Sequence, residues 1–119
     1  MKDIERKVDI ELLMRYFYDQ LLQIPGMSVV FEGIEMENHL PHIVKFWSFE
    51  LLDEEGYKTN VFEKHLPLPI KSHQFDEWLA AFTTSVDHLF KGEKAELAKQ
   101  RATVLAFTFK NKWIALNKD

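Results

Sequence analysis

The sequence predicts a single all-α domain, and three observations support this prediction. Apolar residues recur at spacings of three and four over most of the 119-residue chain, which is the period of helices that bury one face. No segment shows the apolar–polar alternation of a half-buried strand. The helical stretches are separated by short breaks rich in proline, glycine or polar residues. A chain of this length accommodates one core, so residues 1–119 are expected to form one domain.

The first helix is predicted over residues 10–24. Asp9 is a plausible N-cap, and the Pro25-Gly26 pair is expected to end the helix. Residues 1–8 are expected to form a short N-terminal stub. The apolar face of this helix carries residues at helical spacing, with Tyr18 at its edge, and residues 27–36 are expected to form an irregular link.

The second helix is predicted over residues 38–52. Proline is tolerated where its missing N–H would have no helical partner, so Pro41 indicates that the helix starts nearby and places His39 at its beginning. His39, Ile43 and Phe46 share one face, and Trp47 borders it. A polar loop is expected to follow over residues 53–60.

Two more helices are predicted, over residues 72–90 and 93–115. Ser72 is the expected cap of the first of them, and Gly92 marks the break between the two. The apolar stripe of the third helix includes Trp78, whose ordinary role would be a core tryptophan with an indole N–H to satisfy.

Composition and motifs argue against several classes of function. The net charge is −4 and no basic stripe is present, which argues against a nucleic-acid partner. No apolar run approaches the length of a membrane span. The chain has no cysteine, and it starts without the apolar stretch of a signal peptide, so we expect a cytoplasmic protein. HExxH zinc motifs, G-x-S-x-G elbows and glycine-rich phosphate loops are also absent.

The stretch FEKHLPLPI, residues 62–70, surrounds His65 with apolar side chains. Pro67 and Pro69 forbid a long helix here and leave His65 on a helical turn at most, or on a loop. Two readings follow from these residues. The histidine is either partly buried and hydrogen-bonded to backbone, or it is an axial ligand to haem iron, which needs one neutral imidazole and a flat apolar slot.

The chain resembles the truncated haemoglobins, and it is most similar to their group III. The resemblance covers residues 10–110, and no Gly-Gly pair of the kind that marks groups I and II is present. It rests on the following ordered set of residues and segments: Phe17-Tyr18, Phe31, NHLPHIVKFW (38–47), EKHLPLP (63–69), FDEWL (75–79) and AKQRA (98–102).

The resemblance implies a globin-like, two-over-two helical sandwich around haem b. It casts His65 as the proximal iron ligand and Tyr18, Trp78 and His39 as distal residues. His39 would then either swing in to ligate the iron or act as a gate at the pocket mouth. The remaining pocket residues that the resemblance implies are Phe31, Ile43, Phe46, Trp47 and Leu66.

The function expected from the resemblance is reversible binding of O₂, and of other diatomic ligands such as CO and NO, by a monomer. One alternative is a redox enzyme that turns over NO or peroxide with an external reductase, because the chain has no flavin or nicotinamide motif of its own. The other is an all-α interaction module without haem, in which the aromatic residues form a plain core.

Overall fold

The computed structural model describes residues 1–53 and 70–117. This part of the chain contains no strand, and its five helices are α1 (Lys7–Leu21), α2 (Met27–Val30), α3 (Met36–Leu52), α4 (Ser72–Leu89) and α5 (Glu93–Asn117). The predicted all-α class is confirmed. No helix in these two ranges combines the length and the apolar character that crossing a membrane requires.

The four long helices form two layers. Helix α1 packs on α3 in one layer and α4 packs on α5 in the other, while α1 also lies directly against α4. Every alanine at the interior positions of α5, from Ala95 through Ala98 and Ala102 to Ala106, is buried. Because alanine side chains are short, they let neighbouring helices approach α5 closely. The two-over-two sandwich is therefore present.

Helix α1 begins three residues before its predicted start, and Asp9 is not its N-cap. Asp9 is the third helical residue, and its carboxylate reaches back to accept the backbone N–H groups of Glu5 (2.9 Å) and Arg6 (3.0 Å). The helix also ends at Leu21, before the Pro25-Gly26 pair, because tighter turns begin there: the N–H of Ile24 donates to the carbonyl of Leu21 at 3.1 Å.

The link at residues 27–36 is not wholly irregular, and α3 starts earlier than predicted. The side chains of Met27 and Val30, on the short helix α2, are buried. Helix α3 begins at Met36, so Pro41 lies inside the helix rather than in its first turn. Pro41 and Glu37 are both exposed, so water can replace the hydrogen bond that the Glu37 carbonyl loses.

The second layer begins with a cap different from the predicted one. Helix α4 starts at Ser72, but Lys71 is its N-cap, and the Lys71 N–H donates to Oε1 of Gln74 at 2.7 Å. Ser72 is therefore the first helical residue and not the cap. The helix ends one residue before the predicted 90, and α5 runs from the predicted Glu93 to Asn117, two residues beyond its predicted end.

The N-terminal segment is tied to the start of α5. The carboxylate of Asp3 accepts the N–H of Lys94 at 2.9 Å and of Ala95 at 2.8 Å. The carbonyl of Lys2 also accepts the N–H of Lys91 at 2.9 Å. Asp3 thus satisfies backbone donors that the first turn of a helix leaves without an intrahelical partner.

Candidate functional site

A cavity lies between the two layers, where α1, α3, α4 and α5 meet. Its volume, including its open mouth, is about 580 Å³. Among the described residues its lining is aromatic and aliphatic, and its side-chain polar groups are the Tyr18 hydroxyl and the indole N–H groups of Trp47 and Trp78. The lining consists of Phe17, Tyr18, Phe31, Ile43, Phe46, Trp47, Ile70, Phe75, Trp78, Leu105, Ala106 and Phe109.

Tyr18 brings a buried hydroxyl to the wall of this cavity. The residue is only 4% exposed, and its ring meets the edge of Phe31 with centroids 5.9 Å apart. Burial raises the pKa of the Tyr18 hydroxyl well above its ordinary value, because the charged form would lose its hydration. The hydroxyl therefore stays protonated at neutral pH and can donate a hydrogen bond.

His39 lies behind Tyr18 and does not line the cavity itself. Its Nε2 is 3.3 Å from the Tyr18 hydroxyl oxygen, and the two rings cross nearly at right angles with centroids 5.6 Å apart. The pair links the last turn of α1 to the first turn of α3. His39 therefore contacts a residue of the cavity lining, Tyr18, without lining the cavity itself.

One wall of the site is a stack of three aromatic rings. Phe82 lies between Trp78, with centroids 5.5 Å apart, and Trp47, with centroids 4.8 Å apart, and both pairs are nearly parallel. Phe17 meets Phe82 and Trp78 edge-on. Offset stacks and edge-to-face contacts are the preferred aromatic geometries, so this wall is well packed.

The described residues contain no cluster of three or more histidines and carboxylates that could hold a metal ion.

A comparison with protein families gives a match over nearly the whole chain. The model of the family described as bacterial-like globin matches residues 3–111. The chain belongs to the bacterial-like globin family.

A related protein and a solved structure show which group of globins this chain resembles. It is 30% identical over 109 residues to the group 3 truncated haemoglobin of Campylobacter jejuni, with 86% of each chain covered. The crystal structure of the group III truncated haemoglobin from Campylobacter jejuni matches it with a TM-score of 0.84 at 28% identity, over 94% of each chain. The predicted resemblance to group III truncated haemoglobins and the predicted globin fold are both confirmed.

The cavity of this globin fits the haem that the family implies. Ligand pockets with apolar walls and a few polar groups are typical of cofactor sites, and this cavity has that lining. Flat aromatic rings from both layers, among them Trp47 on α3 and Trp78 on α4, suit the faces of a porphyrin. The chain is thus a haem-binding globin by family and by the character of its cavity.

The structure brings together six of the residues that the sequence placed at the site. These residues lie on α1, α3 and α4 and on the segment after α2, and they are Tyr18, Phe31, Ile43, Phe46, Trp47 and Trp78. His39 joins them through its contact with Tyr18. His65 and Leu66 lie outside the described residues, so their roles stay predictions.

Several residues that line the cavity were not among the site residues predicted from the sequence. They come chiefly from α5 and from the start of the second layer, and they are Phe17, Ile70, Phe75, Leu105, Ala106 and Phe109. Leu105 and Phe109 are four residues apart and so project from one face of α5. That spacing indicated a buried face, but it did not show whether the face met protein or a cavity.

Proposed function

We propose that this globin binds haem b through His65 and reversibly binds O₂, with CO and NO as further ligands. The buried residue Tyr18, whose hydroxyl is one of the few polar side-chain groups of the cavity lining, carries this proposal. Bound haem would supply an iron that can hold a diatomic ligand, and a hydrogen-bond donor of the cavity lining would stabilise a ligand that carries partial negative charge.

Tyr18 gives the cavity a proton donor where a partly negative ligand atom would need one. The hydroxyl stays protonated because it is buried, and the low polarity of its surroundings strengthens any hydrogen bond that it donates. The Trp78 indole N–H, on α4, is a second donor on the lining. Tryptophan can only donate, whereas tyrosine can donate and accept at the same time.

The proximal side of the proposal depends on His65 and its neighbours in sequence. Two prolines, Pro67 and Pro69, limit the helical turn that can carry this histidine, and Leu66 provides apolar surface beside it. A neutral imidazole on a short apolar segment is a suitable axial ligand for haem iron.

An absorption spectrum tests the haem-binding part of this proposal. We expect a Soret band in the purified or haemin-reconstituted protein, and we expect His65→Ala to lose haem or to change its spectrum strongly. His88→Ala is a suitable control, because His88 is exposed and stacks on Tyr16 with centroids 4.9 Å apart, away from the cavity lining. An unchanged Soret band in His65→Ala would contradict the proximal assignment.

Dissociation rates test the role of Tyr18. Hydrogen bonds to charged groups contribute about 1.5–3 kcal/mol, so Tyr18→Phe should speed O₂ release roughly 10- to 100-fold. CO release should change much less, because bound CO carries little charge. Trp78→Phe should act in the same direction, and the double variant should be less than additive, since both donors serve one ligand.

The matched control for this measurement is Tyr16→Phe, which also removes a tyrosine hydroxyl from α1. Tyr16 is only partly buried and does not line the cavity. Stopped-flow measurements on all variants should therefore show accelerated O₂ release only where a cavity donor is lost. Equal acceleration of O₂ and CO release in Tyr18→Phe would mean that Tyr18 acts by packing.

A further inference from the structure

The solvent-facing side of α5 carries a row of exposed apolar residues. Val104, Phe107 and Ile114 are 63%, 68% and 37% exposed. Together with Gln100 and Asn111 they recur at alternating spacings of four and three residues along the helix. This spacing is the pattern by which one helix packs along another. These five residues are called the outer face of α5 below.

The outer face of α5 is uncharged over roughly four helical turns. The exposed residues beside it, Thr103, Thr108 and Ala115, are uncharged as well. Single exposed apolar residues are ordinary on a protein surface, but a continuous uncharged side of a long helix indicates a contact surface. The outer face is not part of the described cavity lining, so this surface is separate from the haem site.

The charges that flank the outer face indicate what kind of partner it fits. Carboxylates of this chain already pair with cations on both of its edges. These ion pairs are Lys99 with Asp87 at 2.6 Å, Lys110 with Asp76 at 2.9 Å and Arg101 with Glu50 at 3.6 Å. Because the chain also has a net charge of −4, its attraction to nucleic acid or to an anionic lipid surface is small. The surface that fits best is another uncharged helix face with the same spacing.

We propose that two copies of this chain associate through the outer face of α5, with the two helices antiparallel. Each copy then contributes the same surface, as in most dimers with two-fold symmetry. Val104 of each copy packs on Phe107 of the other, and Gln100 lies opposite Asn111, so that their side-chain amides hydrogen-bond. This arrangement differs from the monomer expected from the family resemblance.

The distribution of charge along α5 favours the antiparallel orientation. Glu93 and Glu96 lie in its first turn, whereas residues 97–117 carry cations and no carboxylate. Antiparallel helices bring the acidic first turn of one copy toward Lys110 and Lys112 of the other, and they also oppose the two helix dipoles. Parallel helices would instead place each of these lysines beside its own counterpart.

The outer face is small, so the dimer should be weak. From Gln100 to Ile114 the helix extends for about 22 Å, and with its side chains it is about 10 Å wide. This is well below the roughly 800 Å² that each partner contributes to a standard interface. We therefore expect a dissociation constant of roughly 0.1–1 mM.

Sedimentation velocity of the purified full chain, at concentrations that bracket this range, tests self-association. The sedimentation coefficient should rise with concentration. Phe107→Glu should weaken the dimer at least about 10-fold, because it puts a charge at the centre of the interface. Leu12→Glu is the matched control, since Leu12 is 53% exposed on α1, in the other layer, and it should leave self-association unchanged.

Two outcomes of this experiment would overturn the proposal. One is a sedimentation coefficient that stays constant with concentration, and the other is equal weakening by Phe107→Glu and Leu12→Glu. Sedimentation with vesicles of phosphatidylcholine and phosphatidylserine tests a different occupant. Vesicle binding that Phe107→Glu abolishes, in a chain that does not self-associate, would assign the outer face to a membrane surface instead.

Cysteine cross-linking tests the orientation, and the chain has no cysteine of its own. In the antiparallel dimer Gln100→Cys and Asn111→Cys should form a disulfide with each other when the two variants are mixed and mildly oxidised. Neither variant should cross-link alone, because equivalent positions would be about 16 Å apart along the helices, beyond the roughly 7 Å that a disulfide spans. Cross-linking of each variant alone, or none in the mixture, would overturn the antiparallel arrangement.

Discussion

Replacing Asp3 with alanine should release the N-terminal segment from α5 and destabilise the whole fold. Its carboxylate accepts two backbone N–H groups from the first turn of α5 and also the N–H of Ile4, at 2.8–2.9 Å. Helix α5 begins after Gly92, which has no side chain that could cap it. Asp3, near the other end of the chain, therefore acts as its cap. Ile4, which follows directly, is buried in the core.

The expected loss is about 1–3 kcal/mol in the free energy of unfolding. Loss of a side-chain N-cap costs about 0.5–2 kcal/mol, and a negative charge at a helix N-terminus contributes about 0.3–1 kcal/mol more. Asp3→Asn keeps one acceptor oxygen, but it loses the charge and replaces the other acceptor with an NH₂ group, so it should lie between Asp3→Ala and wild type.

The contribution of Asp3 should also depend on pH. Burial alone would raise the pKa of the Asp3 carboxyl, but hydrogen bonds from the N–H groups of Lys94, Ala95 and Ile4 outweigh it and lower the pKa below its ordinary 3.8. When the pKa of a carboxyl is lower in the folded than in the unfolded state, its charged form stabilises the fold at pH values above the unfolded-state pKa. This stabilisation is lost as the pH falls through the folded-state pKa. The gap between wild type and Asp3→Asn should therefore be constant near neutral pH and narrow below 3.8.

Denaturant unfolding followed by circular dichroism measures this effect, with haem content matched among variants because bound haem adds stability of its own. Asp87→Asn is the control. It removes a carboxylate of an exposed ion pair with Lys99, so its effect should be much smaller. A loss for Asp3→Ala of less than about 0.5 kcal/mol, the range of ordinary surface changes, would refute the reasoning.

Two further variants test the packing around the site and the N-terminus. Ser48→Ala should keep or raise stability, by up to about 1 kcal/mol, because the Ser48 hydroxyl is buried and has no hydrogen-bond partner among the described residues. Ser85→Ala is its comparison and should not gain stability, since the Ser85 hydroxyl donates to the Ala81 carbonyl at 2.8 Å. Gly92→Ala should lose about 1–3 kcal/mol, because Gly92 has φ +149° and a Cβ there would collide with Asp3. The loss should shrink in an Asp3→Gly background, which also removes the Asp3 Cβ from the collision, and denaturant unfolding of both single variants and the double variant checks this.

Much of the fold follows from the local order of residues. Helical spacing of apolar residues reports which face of a segment is buried, so it predicted the four long helices and the all-α class. Helix ends were predicted less well, because they depend on how distant or neighbouring side chains satisfy the free N–H groups. Asp9, which reaches back to Glu5 and Arg6 from the third helical position, is one example. Lys71, which caps α4 in place of Ser72, is another.

The candidate site, too, was predicted in part from the sequence. The resemblance to group III truncated haemoglobins implied a haem pocket with Tyr18, His39 and Trp78 on its distal side, before any distance between these residues was known. The assignment of His65 to the proximal side also came from that resemblance, and it stays a prediction.

The sequence by itself determined the helical class, the family resemblance and the candidate pocket residues. The tertiary structure alone decided which distant groups meet. It joined the Tyr18 hydroxyl to His39 across two helices and seated Asp3 at the start of α5. The physical reason is that periodicity records only which face of a helix avoids water, whereas a hydrogen bond between helices depends on their packing to within a fraction of an ångström.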